Sequence, residues 1–270
     1  MRDDVDWNEV PARPDEPDFE NVLAVLRGDC PSRPTLFEFF MNGPLYERLA
    51  WERSGAGPDE KTAGPGVLVL GFRNAGYDYV TFLPPGFGFY AGDVESKHTR
   101  SLNEGAVITD RASFDAYAWP DPDAANYAAL DELAAHLPDG MKLVSQGPCG
   151  ILENVVRLVG YDRLCYMLVD DQTLARDVFD AVGSRLAAFY RRLAQHPAVG
   201  AVIGNDDWGF KSQPMLSPDD LRRYVFPCHK QIVKAAHAAG KPAILHSCGN
   251  LETVMDDIID DIGYDAKHSY

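Results

Sequence analysis

Residues 201–250 read AVIGNDDWGF KSQPMLSPDD LRRYVFPCHK QIVKAAHAAG KPAILHSCGN. The apolar run Ala201–Asn205 is short and near-continuous, as strands covered on both faces are. After a polar loop, Ser217 offers a capping hydroxyl, Pro218 fits the first helical position, and Asp219 and Asp220 face the positive end of the dipole. Leu221, Tyr224, Val225, Ile232, Val233 and Ala236 then keep a helical period until Gly240 and Pro242 end it. Pro227 lies inside this pattern and predicts a kink. Pro242–His246 opens the next strand, so this stretch is one strand–helix–strand unit.

The same alternation runs outward in both directions. Further strand candidates are Pro34–Phe40, Tyr77–Leu83, Met141–Gln146 and Tyr264–Tyr270. A helix capped by Asp171 carries Leu174, Val178, Val182, Leu186, Phe189 and Leu193 at spacings of three and four and stops before Pro197. Alternating strands and helices imply parallel strands joined by right-handed crossovers, in a doubly wound sheet or a barrel. Gly86, Gly88 and Gly92 lack the spacing of a dinucleotide fingerprint and read as a Gly-rich loop. Polar residues concentrate where strands end, which favours the (β/α)8 TIM barrel. Six strands are visible where a barrel closes with about eight, so the expectation is a C-terminally incomplete barrel over residues 19–270. Residues 1–18, with Pro11, Pro14 and Pro17 among acidic residues, form an N-terminal arm.

The 270-residue chain carries 25 basic and 41 acidic side chains, a net charge of −16 that disfavours nucleic-acid binding. No apolar run is long enough for a membrane span, and the polar start is no signal peptide. Five scattered cysteines without framework spacing point to a reducing cytoplasm, where a special cysteine is a ligand or nucleophile rather than a bridge.

His246-Ser247-Cys248-Gly249-Asn250 ends its strand with His246 and Cys248 on one side and Ser247 on the other, a pairing suited to half a zinc site or to plain packing. Asp206 and Asp207 follow the preceding strand; either serves as general acid or base, as a partner orienting His246, or as a cap. Trp208 walls a pocket. After the strand ending at Gln146, the loop Gly147-Pro148-Cys149-Gly150 lets a ligand approach backbone at Gly147, and Glu153 reaches the pocket as an acid. His268 lies on the last strand; Cys228 reads as packed and His229 as exposed.

Gly204-Asn205-Asp206-Asp207-Trp208-Gly209, the segment Leu216–Leu221 running on to Phe226-Pro227, and Gly240-Lys241-Pro242 leading to His246–Asn250 resemble the uroporphyrinogen decarboxylase superfamily. The resemblance covers about Gly147–Asp265, with a looser likeness from Phe19 to Phe40. It implies a (β/α)8 barrel with its site in the mouth. The superfamily includes zinc-bearing methyltransferases that pass methyl groups from corrinoid proteins to thiols, and the His-x-Cys-Gly pattern is similar to theirs. That branch implies zinc on His246 and Cys248, Asp206 or Asp207 orienting a ligand or the substrate, Glu153 as a pocket acid, Trp208, Gly147 and Asn250 against substrate, and a corrinoid protein as partner. The family's third ligand, a cysteine nearer the end of its chain, is not in this sequence; Cys149, His268 or a carboxylate stands as its substitute. The alternative is a carboxy-lyase acting on a porphyrinogen or other carboxylate, although Glu38–Pro44 lacks the Arg-rich clamp of true decarboxylases. A non-catalytic binding protein on the same barrel is the third expectation.

Overall fold

The computed structural model describes residues 16–52, 64–92 and 101–270; most of the expected N-terminal arm lies outside them. The strands are β1 (Tyr79–Phe82), β2 (Lys142–Gln146), β3 (Val199–Asn205), β4 (Ala243–His246) and β5 (Ala266–His268). The α-helices are α1 (Glu20–Leu26), α2 (Gly43–Glu52), α3 (Pro65–Ala75), α4 (Arg111–Ala116), α5 (Ala128–Ala134), α6 (Ile151–Val159), α7 (Tyr161–Asp170), α8 (Gln172–Gln195), α9 (Pro218–Asp220) and α10 (Phe226–Ala238).

The chain divides into two compact units, Met1–Val80 with Glu132–Lys142, and Thr81–Asp131 with Leu143–Tyr270. In the first, α2 packs on α3 because Gly71 leaves no Cβ to meet Tyr46, whose ring stacks on Phe72 at 5.5 Å. Asp78, fully buried, is held by the Arg33 guanidinium, by Thr35 Oγ1 at 2.8 Å and by the Asp18 amide at 3.0 Å. Pro34–Phe40, expected as a strand, is irregular. Side chains take its amides instead: Glu38 N donates to Tyr79 Oη at 2.6 Å and Phe39 N to Glu38 Oε1 at 2.8 Å.

The sheet order is β1-β2-β3-β4-β5, the order of the strands in the sequence. β2 to β5 pair in parallel. A strand order identical to the sequence order is barrel winding; a doubly wound sheet reverses at a switch point. Among the described residues this sheet is open, with five strands rather than the six expected.

In the second unit the 24-residue α8 buries Leu174, Val178, Val182, Leu186, Phe189 and Leu193, the expected stripe, and Asp171 caps it by accepting from Leu174 N. α10 lies alongside α8 where Gly183 makes room for Cys228; a Cβ there would sit 2.0 Å from Cys228 Sγ. Ser217 caps α9 as expected, accepting from Asp220 N at 3.1 Å. The irregularity expected at Pro227 falls just before it, as a π-helical turn over Leu221–Val225, and Pro227 occupies the first turn of α10, where a missing N–H costs nothing. The register Asn205↔His246↔His268 aligns the carboxyl ends of β3, β4 and β5. The loops leaving β2, β3 and β4 therefore meet at one end of the sheet, where barrel sites are built.

Candidate functional site

The loops after β3 and β4 interlock through glycine. A Cβ on Gly209 would meet Cys248 O at 2.8 Å, and one on Gly249, whose φ is +86°, would meet Gly209 C and O at 2.2 Å. Only two residues without side chains allow backbones this close. Trp208 N donates to Ser247 Oγ at 3.1 Å, Asn250 N to Phe210 O at 2.8 Å, and Cys248 N to Asp207 Oδ1 at 2.7 Å.

This lacing gathers three donor side chains. His246 Nε2 stands 3.8 Å from Cys248 Sγ and 3.9 Å from Asp207 Oδ1, and one ligand atom from each of the three lies within 4.8 Å of the others. His246 is buried, while the Asp207 side chain is 42% exposed and open to a ligand. On its far side His246 Nδ1 is 2.8 Å from His268 Nδ1, so one of the two carries the shared proton. Ser247 N donates to His268 O at 3.1 Å, fixing that second imidazole to the β4 end.

Asp206 and Asp207, adjacent in sequence, do different work. Asp206 is completely buried. Its Oδ2 accepts from Leu152 N and its Oδ1 from Glu153 N, both at 2.9 Å, so a carboxylate 53 residues away in sequence from Glu153 closes the amino end of α6. Oδ2 also lies 2.9 Å from His229 Nε2, and His229 Nδ1 lies 2.7 Å from Tyr264 Oη. Gly150 makes this approach available: a Cβ there would fall 2.0 Å from Asp206 Cβ. His229, expected on the exposed side of its helix, is fully buried. The signal for it was in the sequence, since it stands four residues after Val225 and four before Val233, within the apolar stripe.

Glu153 lines a cavity of about 350 Å³ together with Asp207, Arg157, Leu152, Val156 and Phe210. Its Oε2 accepts from Gly150 N at 3.2 Å. Burial, with the negative charge of Asp206 behind it, pushes the carboxyl up to about 8. At neutral pH this acid keeps its proton.

The remaining expected residues fall around this centre. Gly147 packs under Tyr190: a Cβ there would meet the ring at 2.8 Å, and Gly147 N donates to Tyr190 Oη, which donates in turn to Ile203 O. Burial raises the Tyr190 phenol far above its ordinary range. Gly147 thus admits a side chain of the core rather than a ligand. Trp208 is wholly buried against Phe226 and His229 and is not among the residues lining the cavity. Asn250 is exposed, its Oδ1 accepting from Glu252 N at the start of a 3-10 turn. Cys149 holds φ at +61°, a left-handed conformation that costs a non-glycine residue about 1–2 kcal/mol. Burial, then the nearby Glu153, raises its thiol, so it is held as a neutral group.

The family model described as Uroporphyrinogen decarboxylase (URO-D) matches residues 101–268. Among solved structures, a methyltransferase from Methanosarcina mazei superposes with a TM-score of 0.61 at 14% identity, over 93% of this chain and 76% of that one. At that identity the likeness is one of fold. No curated protein matches the chain. Among the described residues, no helix is long and apolar enough to cross a membrane.

Proposed function

This chain belongs to the uroporphyrinogen decarboxylase family, and from that membership we propose that it is a methyltransferase that holds zinc on His246, Cys248 and Asp207 and moves a methyl group between a corrinoid, carried by a partner protein, and a small-molecule thiol. The observation that supports this reading is the convergence of an imidazole nitrogen, a sulfur and a carboxylate oxygen at the carboxyl ends of β3 and β4. Tetrahedral zinc with ordinary bond lengths separates such ligands by about 3.3–3.6 Å; the two separations from His246 are 3.8 and 3.9 Å, and all three atoms lie within 4.8 Å of one another, so the set must draw in to close on an ion. The donor set is also right in kind, nitrogen and sulfur with one hard oxygen. The carboxylate takes the place of the family's third ligand, a cysteine.

When bound, zinc lowers the pKa of a coordinated thiol so that a thiolate nucleophile exists at neutral pH. The chain's own residues prepare for it. His246 must present an unprotonated Nε2, which places the proton on Nδ1, donating to His268 Nδ1. His268 therefore sets the tautomer and the ring plane. The Cys248 amide donates to Asp207 Oδ1, the oxygen that stands 3.9 Å from His246 Nε2, and so holds the carboxylate beside the imidazole. Glu153, protonated and facing the same cavity as Asp207, can give or hold a proton there.

The test is S-methylation of 2-mercaptoethanol at saturating concentration with methylcobalamin as donor. The expected outcome is turnover by the wild type and its loss in His246→Ala and Cys248→Ala; full turnover by zinc-free protein overturns the reading. One observation favours a second: a carboxylic acid kept protonated near neutral pH is what a decarboxylase needs to protonate the carbon left after carbon dioxide departs. Release of carbon dioxide from a carboxylate, undiminished by chelator and lost in Glu153→Gln, would establish that reading instead.

A further inference from the structure

The outer faces of α8 and α10 border a groove of about 460 Å³. Arg191 and Gln195, one turn apart on α8, form one wall. Gln231, Lys234, Ala235 and Ala238 recur at the helical interval on α10 and form the other. Ile232, Val233 and Ala236, on the far side of α10, are buried, so that helix packs inward by one face and turns a second to the groove. α8 ends at Gln195 and leads into β3, and α10 ends at Ala238 and leads into β4. The groove therefore lies toward the amino ends of those strands, away from the carboxyl ends where Asp207, His246 and Cys248 meet.

The charge of this groove runs against the composition of the chain, which has 41 acidic and 25 basic side chains. Neighbouring cations on the same two helices each hold a carboxylate. Arg192 Nη2 lies 2.8 Å from Asp123 Oδ1, Lys230 Nζ 2.6 Å from Asp261 Oδ1, and His237 Nε2 2.8 Å from Asp265 Oδ2. Arg191 and Lys234 are exposed, and among the described residues their side chains have neither ion pair nor hydrogen bond. The exposed amides of Gln195 and Gln231 are equally unpartnered there. No acidic side chain of the described residues lines the groove. Two cations thus face each other across a floor of alanine, whose short side chains let another backbone come close. At physiological ionic strength charges more than about 8 Å away are largely screened, so these local cations, rather than the net charge of −16, decide what the groove accepts.

We propose that this groove is a docking site for an acidic helix of a partner protein, its flanking carboxylates meeting Arg191 on α8 and Lys234 on α10, and its own small side chains lying against Ala235, Ala238 and Ala239. Charge complementarity selects this occupant, and a trough between two helices is the shape that receives a third. The volume takes about one helical turn of small residues. Gln195 and Gln231 supply donors and acceptors at the polar rim. A helix docked here leaves the cavity beside Asp207 clear.

The test is fluorescence anisotropy of the full chain with a labelled helical peptide of about 16 residues, alanine throughout except for glutamates that border an all-alanine face. A counterpart carries glutamine in place of every glutamate. The glutamate peptide is expected to bind the wild type, more tightly than the glutamine peptide does and more weakly as salt rises. Its affinity should fall about tenfold or more when Arg191→Glu and Lys234→Glu are combined. Arg191→Glu alone should weaken binding more than Arg176→Glu, which makes the same change of net charge about 22 Å away along α8. Ala235→Phe, which fills the floor, should weaken it with no change of charge. Thermal melts report whether each variant is folded, and Arg191→Gln with Lys234→Gln carries the comparison if the reversed pair is not. Absence of binding to the wild type, equal affinity in wild type and double variant, or an equal loss in Arg176→Glu overturns the proposal. Sedimentation of the chain alone distinguishes the other occupant: self-association that the double variant abolishes would give the groove to a second copy and overturn the acidic partner.

Discussion

Replacing Asp206 with asparagine should destabilise the protein by about 2–5 kcal/mol, while the same change at Asp207 should cost less than about 1 kcal/mol. The asymmetry follows from the acceptors each side chain supplies. Asp206 accepts two amide N–H groups at the amino end of α6, one on each oxygen, and its Oδ2 also meets His229 Nε2. Asparagine has one oxygen. If its NH₂ takes the place of Oδ1 it confronts Glu153 N–H; if it takes the place of Oδ2 it can donate to His229 but confronts Leu152 N–H. Either orientation leaves one buried amide unsatisfied, a loss of about 1–3 kcal/mol, and removes the charge from the remaining bonds, about 1 kcal/mol or more. Loss of the negative charge from the helix amino end adds about 0.3–1 kcal/mol. Asp207, by contrast, accepts a single amide, is substantially exposed, and asparagine keeps that acceptor. Urea titrations followed by circular dichroism give both free energies by linear extrapolation. An Asp206→Asn loss below about 1 kcal/mol, or equal losses for the two variants, would refute the division of labour between these neighbours.

Glu153 gives a prediction in pH. Its folded value, about 8, lies above the ordinary 4.5, so its contribution to stability is full below pH 4.5 and is lost as pH rises toward 8. Glu153→Gln should therefore be more stable than the wild type at pH 9 and differ little at pH 5, the gap reaching about 5 kcal/mol at most; denaturant titrations in chelator at the two pH values decide, and a pH-independent difference contradicts the raised value. Gly183→Ala should cost about 1–3 kcal/mol by driving a methyl group into Cys228. Adding Cys228→Ala should recover part of that loss, and strictly additive effects in a double-mutant cycle would show that the two residues do not meet.

Five of the six expected strands, all but Pro34–Phe40, are present and are legible as apolar runs, since burial on both faces writes itself directly into composition. Pro34–Phe40 has the same composition, yet the Glu38 amide goes to Tyr79 Oη, a partner set by tertiary structure, and the Phe39 amide to the neighbouring Glu38 Oε1. The caps at Asp171 and Ser217 were legible because each lies within three residues of the amide it serves. The cap of α6 was not, because its acceptor, Asp206, comes from another strand. The pair His246 and Cys248 could be read from β alternation alone. Which of Asp206 and Asp207 joins them depends on how Gly209 and Gly249 let two loops touch.

The most direct measurement is zinc content by elemental analysis after dialysis against a weak chelator, for the wild type, Cys248→Ala, Asp207→Asn and Asp206→Asn under folded conditions. A site on His246, Cys248 and Asp207 holds about one zinc per chain in the wild type, retains it in any Asp206→Asn protein that remains folded, and loses it in Cys248→Ala and Asp207→Asn. Zinc absent from the wild type, or retained undiminished when Cys248 and Asp207 are replaced, would contradict the metal centre on which the proposed methyl transfer depends.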